Sequence, residues 1–505
     1  MNTILFFITV LIFSVFLPKY VLFFMVLNLC LGLFLSFFQI IIALLPHFKP
    51  KSKLMKDQPF VSILVPAYNE PPTILMQTIE ALSLLNYKNF EVLIIDNNTK
   101  DPAIWKPVKL FTETLGEKFK FFHVDPLAGF KAGAINYLLK RIDKRSEYIA
   151  IIDADYLIKE DFLTTALPYF SNIKIALVQF PQHYRNFSKK NQPIVDEYRH
   201  FFGIYMNMAN HFDCVPSTGT VSVYRSHVLK GIGGFRGEAL TEDADVGLRI
   251  YKAGHKGVFV DLPVGYGLMP YDLESYKKQK WRWAFGNAQS IKTLFLMFGK
   301  IPFRSWFGFL LHLTAWNHLN FLPFTVIAAY VIVLLPFVPL TDTHRNLLDI
   351  ASISFLITLV AKWMLFWVAL RHKKRSIQRS WRAFLVHMGL TMVYSEAWLS
   401  FLFQSKFIFE RTNKFVLAKM PNIFKGTYKE LILAIWFLIG IIEAFFIGGR
   451  ITTKITFFIA SLVLFCIYYI SFKISPTKEY SKKILADLEE KFGQYLKIEA
   501  VKNNK

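Results

Sequence analysis

The sequence predicts an integral membrane α-helical protein with a cytoplasmic α/β domain inserted between its spans. Three observations carry this. Of the 505 residues, 53% are hydrophobic and 52 are Phe, far more than a soluble core of that length requires. The apolar residues gather in long runs at both ends of the chain and leave a mixed block near residues 55–270. Inside that block, short β-branched or aromatic runs alternate with helical stretches, the pattern of a mainly parallel sheet covered by helices.

Taken in order, residues 1–46 hold two apolar runs, "ILFFITVLIFSVFL" and "YVLFFMVLNLCLGLFLSFFQIIIALL". The second is ample for a span, the first marginal. The opening "MNT" carries no cation and no small-residue cleavage pattern follows, which argues against a signal peptide. Residues 55–300 form the water-soluble domain and its closing interfacial helix. Strands are expected at "VSILVPAY", "FEVLIIDN", "FKFFHVD", "YIAIIDAD", "IALVQF" and "VSVYR", and helices at "PTILMQTIEALSLL" and "AGAINYLLKRI". In 301–473, spans are expected near 318–340, 349–370, 430–449 and 454–473. The stretch 381–404, interrupted by Arg382, His387 and Glu396, reads as an interfacial helix. Residues 474–505 form a charged cytoplasmic tail. Six spans place the domain, the 371–382 loop and the 410s loop on the cytoplasmic side.

The formal net charge is +23, yet no RNA- or DNA-binding motif accompanies it, so nucleic acid is not the expected partner. The cations stand beside apolar runs, in "HFKPKSKLMK" and "RHKKRSIQRSWR". That placement follows the positive-inside rule and suits a lipid bilayer surface and an anionic substrate. The three cysteines, Cys30, Cys214 and Cys466, are scattered, which excludes a disulfide framework and a CxxC metal site.

Four short elements carry chemistry. In "AIIDADYLI", Asp153 and Asp155 stand two apart at the end of an apolar strand. Such a pair suits a hard divalent cation, and also suits a plain strand-end turn. In "AGFKAGAINYLL", Gly129 and Gly133 bracket Lys131 ahead of a helix, so backbone amides and an ammonium would face an anion together. In "ALTEDADVGLRIYKAGHKG", Thr241, Glu242 and Asp243 look like an N-cap with a favourable first turn, or like the seat of a general base at Asp243. In "SYKKQKWRWAFGNAQ", Gln279, Arg282 and Trp283 share one helical face. Lys277, Lys278, Lys280 and Trp281 are the candidates for a face seated on the bilayer surface.

Asp96 in "IIDNN", Asp153-Ala154-Asp155, Thr241-Glu242-Asp243 and Gln279-Lys280-Trp281-Arg282-Trp283 occur in the order of the D, DxD, TED and QxxRW motifs. The chain therefore resembles the membrane-embedded, processive family 2 glycosyltransferases, the group of cellulose and hyaluronan synthases, strongly over residues 60–290. "FERTNK" at 409–414 resembles their gating loop weakly, with Arg411 where Val is usual. "DNNTKDPAIWKPV", "GFKAGAIN" and "KKQKWRWAFG" are similar to bacterial cellulose-synthase-like proteins.

The resemblance implies a GT-A, Rossmann-like mixed sheet and inverting transfer of a sugar, glucose in the first instance, from a UDP-sugar donor to a glycan acceptor. It implies that Tyr68, Glu70 and Asp96 hold the uridine, and that Lys131 and Arg282 meet the diphosphate. Asp153 would lie near the nucleotide, with Asp155 and Asp153 holding Mg²⁺ or Mn²⁺. Asp243, beside Glu242, would deprotonate the acceptor, and Gln279 and Trp283, with the "STGT" loop at 217–220, would line the sugar site. Tyr156 stands where cellulose synthases often carry His. The implied location is a bacterial inner membrane, multi-pass, with accessory export subunits an open question and no cyclic-dinucleotide control through a domain of this chain. Two rival readings are single-sugar transfer to a lipid, and a non-catalytic channel or scaffold whose domain only binds nucleotide.

Overall fold

In a computed structural model of the protein, the described residues are 2–53, 57–316, 341–403, 423–446 and 450–502. The six expected strands all form: β1 (Val61–Ala67), β2 (Phe90–Asn97), β3 (Phe119–Val124), β4 (Tyr148–Ile151), β6 (Ile175–Gln179) and β7 (Ser222–Arg225). Three short ones join them, β5 (Leu157–Ile158), β8 (Lys256–Phe259) and β9 (Gly265–Tyr266). The main sheet runs β3-β2-β1-β4-β7-β6-β8, with β5 and β9 as a separate ladder. Only β7 runs antiparallel to its neighbours β4 and β6, so the sheet is mixed. β1 and β2 are buried at every position, as strands covered on both faces must be. Alternation divides them: Val61, Ile63 and Val65 enter the core on one face, Leu64, Leu93 and Ile95 that on the other.

The helices are α1 (Asn2–Phe16), α2 (Pro18–Ala43), α3 (Pro72–Ser83), α4 (Pro102–Glu113), α5 (Phe130–Leu139), α6 (Phe162–Ala166), α7 (Gln192–His200), α8 (Met206–His211), α9 (Ser226–Gly231), α10 (Glu242–Lys252), α11 (Leu273–Leu296) and α12 (Phe303–Leu313). Beyond them lie α13 (Asp342–Leu370), α14 (Ser376–Gly389), α15 (Thr391–Phe403), α16 (Ile423–Phe446) and α17 (Ile451–Lys502). Proline at the first position starts α2, α3 and α4, where its missing N–H costs nothing. α3 and α4 cover one face of the sheet, α5, α9 and α10 the other.

After β1, the chain adds β2 and β3 on one side and then crosses to place β4 on the other. The carboxyl ends of β1 and β4 therefore diverge and open a crevice at the switch point, where ligands bind in such sheets. Tyr68 and Glu70 leave β1 there, and Asp153 and Asp155 leave β4.

The membrane part differs from expectation in several places. Three helices among the described residues are long and apolar enough to cross a membrane: Pro18–Ala43, Asp342–Leu370 and the Ile451–Leu496 part of α17. The predicted first span is the 15-residue α1. Residues 318–340 and "FERTNK" lie outside the described residues, and the 430–449 prediction falls mainly on α16. The 381–404 stretch is two helices, α14 and α15, that part at Leu390. The tail is not a separate segment, because α17 is one 52-residue helix that carries it onto the soluble domain. There Leu488 and Phe492 enter the core beneath α3 and α4, Phe492 meets Phe111 edge-on at 5.5 Å, and Lys491 pairs with Glu80 at 2.6 Å. Sequence charge misled because this amphipathic half buries an apolar stripe while its cations stay wet.

Candidate active site

The crevice is shaped first by backbone. Asn69 and Asn98 both adopt left-handed φ, 50° and 61°, a conformation that Asn tolerates better than most residues. Asn69 N donates to Thr99 Oγ1 at 2.8 Å. Asn98 grips Leu127 through two bonds, donating to its carbonyl at 2.8 Å and accepting from its amide at 2.7 Å. The loops after β2 and β3 are thereby fixed against each other. Gly129 then turns with φ of 88° into α5, and a Cβ at Gly133 would lie 1.9 Å from Ala128 O. Only glycine lets the chain fold this closely, and the fold delivers Lys131 to the crevice floor.

Lys131 Nζ lies 2.5 Å from Asp153 Oδ1 and donates to Gly219 O at 2.8 Å. Asp153 N donates to Thr220 Oγ1 at 3.0 Å, and Asp155 Oδ2 accepts from Leu268 N at 2.9 Å. The acidic pair is thus held on both flanks by backbone of other segments. Burial opposes the charge on Lys131, but Asp153, Glu242 and Asp243 outweigh it and raise its pKa.

Thr241 sits at the N-cap position of α10 with Glu242 and Asp243 in the first turn, but its side chain makes no capping hydrogen bond. Its side chain instead faces α11 at Gly286, where an added Cβ would be 2.2 Å from Thr241 Cγ2. That close crossing brings Arg282 into the field of Glu242 and Asp243. Burial first, and then Asp243, push Glu242 up to about 7. Burial likewise raises Asp243, against the pull of Lys131. Burial lowers Arg282, with Glu242, Asp243 and Asp153 acting in the other direction. Two acids and two bases thus balance inside one desolvated site.

Tyr68, Glu70, Lys131, Asp153, Asp155, Glu242, Asp243, Gln279, Arg282 and Trp283 all line a single cavity of about 460 Å³. Asp96 does not line it. Its carboxylate is 1% exposed and turns to His123 at 3.3 Å, and that ring stacks on Trp105 at 4.1 Å. Asn97 and Asn98, which follow Asp96, supply the wall instead. A smaller cavity of about 60 Å³ adjoins on the far side of Trp283, between the Ser217–Thr218 turn and Trp316. Asp243 and Trp283 line both.

The surface-seating prediction is corrected for Lys280, whose side chain is wholly buried against Glu197 at 2.6 Å. Trp281 stacks on Phe285 at 4.9 Å, Lys277 pairs with Glu430 and Lys278 with Glu274. Three lysines in four residues suggest one wet face, yet helical rotation turns the third inward. Thr218 of the "STGT" loop lines the main cavity as expected, and Gln182 and Tyr184, which no motif marks, line it too. Gln179 ties that region together, accepting from Thr218 N at 2.9 Å and donating to Thr220 O at 2.9 Å.

A doubly covered sheet with an acidic pair at its switch point, a lysine and an arginine facing that pair, and a carboxylate at the mouth of a second cavity defines a GT-A glycosyltransferase domain. Residues 58–286 match the family described as "Glycosyltransferase like family 2". The chain is 28% identical over 270 residues to the cellulose synthase catalytic subunit [UDP-forming] of Xanthomonas axonopodis, covering 51% of this chain and 35% of that one. It is 28% identical over 278 residues to the subunit of that name from Komagataeibacter sucrofermentans, covering 53% and 36%. The matched part thus spans about a third of those relatives' length. A mannosyltransferase from Pyrobaculum calidifontis, solved with GDP-Man and Mn²⁺, shares the fold at a TM-score of 0.52 and 18% identity, over 77% of this chain and 99% of that one.

Proposed function

We propose that the protein transfers a sugar, glucose in the first instance, from a UDP-sugar onto a growing β-glycan with inversion, and feeds the product toward its membrane helices. The observation that carries the reading is the placing of Asp243 and Trp283 where a nucleotide-sugar-sized cavity meets a second, aromatic-walled one. Donor and acceptor then approach one carboxylate from opposite sides.

Tyr68, Glu70 and the Asn97–Asn98 wall face the nucleoside end, with Asp96 acting behind that wall. Lys131 and Arg282 face the diphosphate, and both sit where burial strengthens their attraction for it. Gln279 and Trp283 bound the sugar. Among the described residues no group of three or more His, Cys, Asp or Glu side chains is placed to hold a metal ion. Asp153 and Asp155 still fit Mg²⁺ or Mn²⁺, because such ions take one or two carboxylates and complete their shell with phosphate oxygens and water. When bound, the ion would neutralise charge on the leaving diphosphate. Asp243 takes the proton of the acceptor hydroxyl. That oxygen forms its bond to the anomeric carbon as the bond to UDP breaks on the opposite face, which inverts the centre. Glu242, whose carboxyl burial and Asp243 push up to about 7, carries only part of a negative charge beside the base near neutral pH.

The catalytic domain would lie on the cytoplasmic face of a bacterial inner membrane in a multi-pass chain, as the cations flanking its apolar runs suggest. The deciding experiment is Asp243→Asn. UDP binding should persist within about twofold, while transfer from UDP-glucose falls by about 10²–10⁴-fold, the usual contribution of a general base. Transfer at the unaltered rate would overturn the assignment. Digestion of the product with β-glucanases separates polymer from glycolipid.

A further inference from the structure

The chemistry above leaves Lys280, a fully buried cation, unused. Lys280 has no exposed surface, and neither has its counter-ion Glu197, 2.6 Å away. Glu197 also accepts from the Tyr276 hydroxyl at 2.8 Å and lies 3.1 Å from His387 Nδ1. The cluster joins α7, α11 and α14. Burial opposes the charge of Glu197, but Lys280 and His387 hold its carboxyl below the usual carboxylate range, and Glu197 in turn counters the lowering of Lys280 by burial. Buried ion pairs are a weak source of stability, since apolar residues of similar shape serve at least as well. Stability alone therefore does not account for it.

The surroundings of the ammonium give another role. Its Nζ lies 4.2 Å from the ring centre of Tyr198, 4.6 Å from Trp316 and 4.9 Å from Trp283. Each distance is within the range of a desolvated cation–π contact. Trp283 and Trp316 are also neighbours, with ring centres 5.9 Å apart, and together they wall the smaller cavity. Tyr198 stands edge-on to Trp283 at 5.8 Å and donates its hydroxyl to Gln279 Oε1. One cation thus touches both tryptophans of the smaller cavity and the tyrosine that holds Gln279. Lys280 itself lines neither cavity.

We propose that Lys280 and Glu197 are positioning residues for the acceptor glycan, the buried pair setting the planes of Trp283 and Trp316 so that the acceptor's terminal sugar is seated against Asp243. This rests on the transferase reading. It predicts that the pair governs acceptor affinity and leaves the donor site alone.

The test uses the full chain in nanodiscs, with cellotetraose as acceptor probe and UDP as donor-site probe, both followed by tryptophan fluorescence. Lys280→Met should weaken cellotetraose binding by about tenfold or more, the scale of a lost desolvated cation–π contact. UDP affinity should stay within about twofold, since Lys280 does not line that site. Lys280→Arg, which keeps charge and stacking, should recover most of the loss. The double variant Glu197→Gln/Lys280→Met removes both charges, so it should melt near the unaltered protein and still bind cellotetraose weakly. Overturning results are cellotetraose affinity unchanged in Lys280→Met, affinity restored in the double variant, UDP and cellotetraose affinity falling together, or no cellotetraose binding by the unaltered chain. Failure of the transferase reading shows separately, as absence of UDP release from every UDP-sugar while these binding differences persist.

Discussion

Gly286→Ala is the sharpest probe of how the two catalytic helices are held together. A Cβ at this position would lie 2.2 Å from Thr241 Cγ2, 2.3 Å from Oγ1 and 2.7 Å from Cβ. Carbon atoms in comfortable contact stand about 3.5 Å apart, so α10 and α11 must separate by about 1.3 Å at the crossing. No rotamer change relieves this, since a Cβ is fixed to its backbone and Thr241 is branched there. Arg282 lies one turn before Gly286 on the same face of α11, and the separation carries its guanidinium away from Glu242 and Asp243. Overpacking of this kind costs about 1–3 kcal/mol in stability. A shift of about 1 Å among reacting groups costs up to about 10²-fold in rate. The assay is UDP release from UDP-glucose by the full chain in nanodiscs, with melting temperature measured alongside. Gly286→Ala should lower kcat by about 10–100-fold with every motif side chain intact. Adding Thr241→Ala, which removes two of the three clashing atoms, should restore part of it. Unaltered kcat in the single variant, or no recovery in the double, would refute the argument from helix spacing.

Three further outcomes follow from the same geometry. Glu242 is raised by folding from 4.5 to about 7, so its contribution to stability is whole below the lower value and fades as pH rises through the upper one. Melts of the ligand-free protein should fall between about pH 5 and about pH 8, and Glu242→Gln should flatten that slope; a slope equal in both proteins would place the titration elsewhere. Phe492 is 3% exposed in the core beneath α3 and α4, and Phe492→Ala should cost about 3 kcal/mol. It should also make trypsin cut first at Lys482 and Lys483, and an unchanged cleavage order would mean that the terminal helix is not seated there. Chelation with EDTA should abolish transfer and Mn²⁺ or Mg²⁺ should restore it, with Asp155→Asn needing a higher metal concentration; activity that survives chelation would remove the metal from the proposal.

Much of the site was legible because its motifs are local. Asp153 and Asp155 follow an apolar strand, Lys131 follows a glycine turn, and Gln279, Arg282 and Trp283 share a helical face, so spacing alone oriented each group. The strand runs were legible for the same reason, since period and β-branching act over a few residues. Asp96 was misplaced because its motif position fixes where the backbone goes and not where the carboxylate turns, and His123 claims it. The tail was misread because its apolar stripe has meaning only once α3 and α4 are there to cover it.

The sequence by itself determined the membrane-flanked α/β plan and the polar groups at its strand and helix ends, because hydrophobic period and strand-end position are short-range properties. Tertiary structure alone decided that Lys280 turns inward, since its partner Glu197 stands 83 residues away. It also decided that Gly286 is a crossing point and that Trp283 divides two cavities. Each of these is set by close packing between segments far apart in the chain, and such contacts leave no mark on local composition.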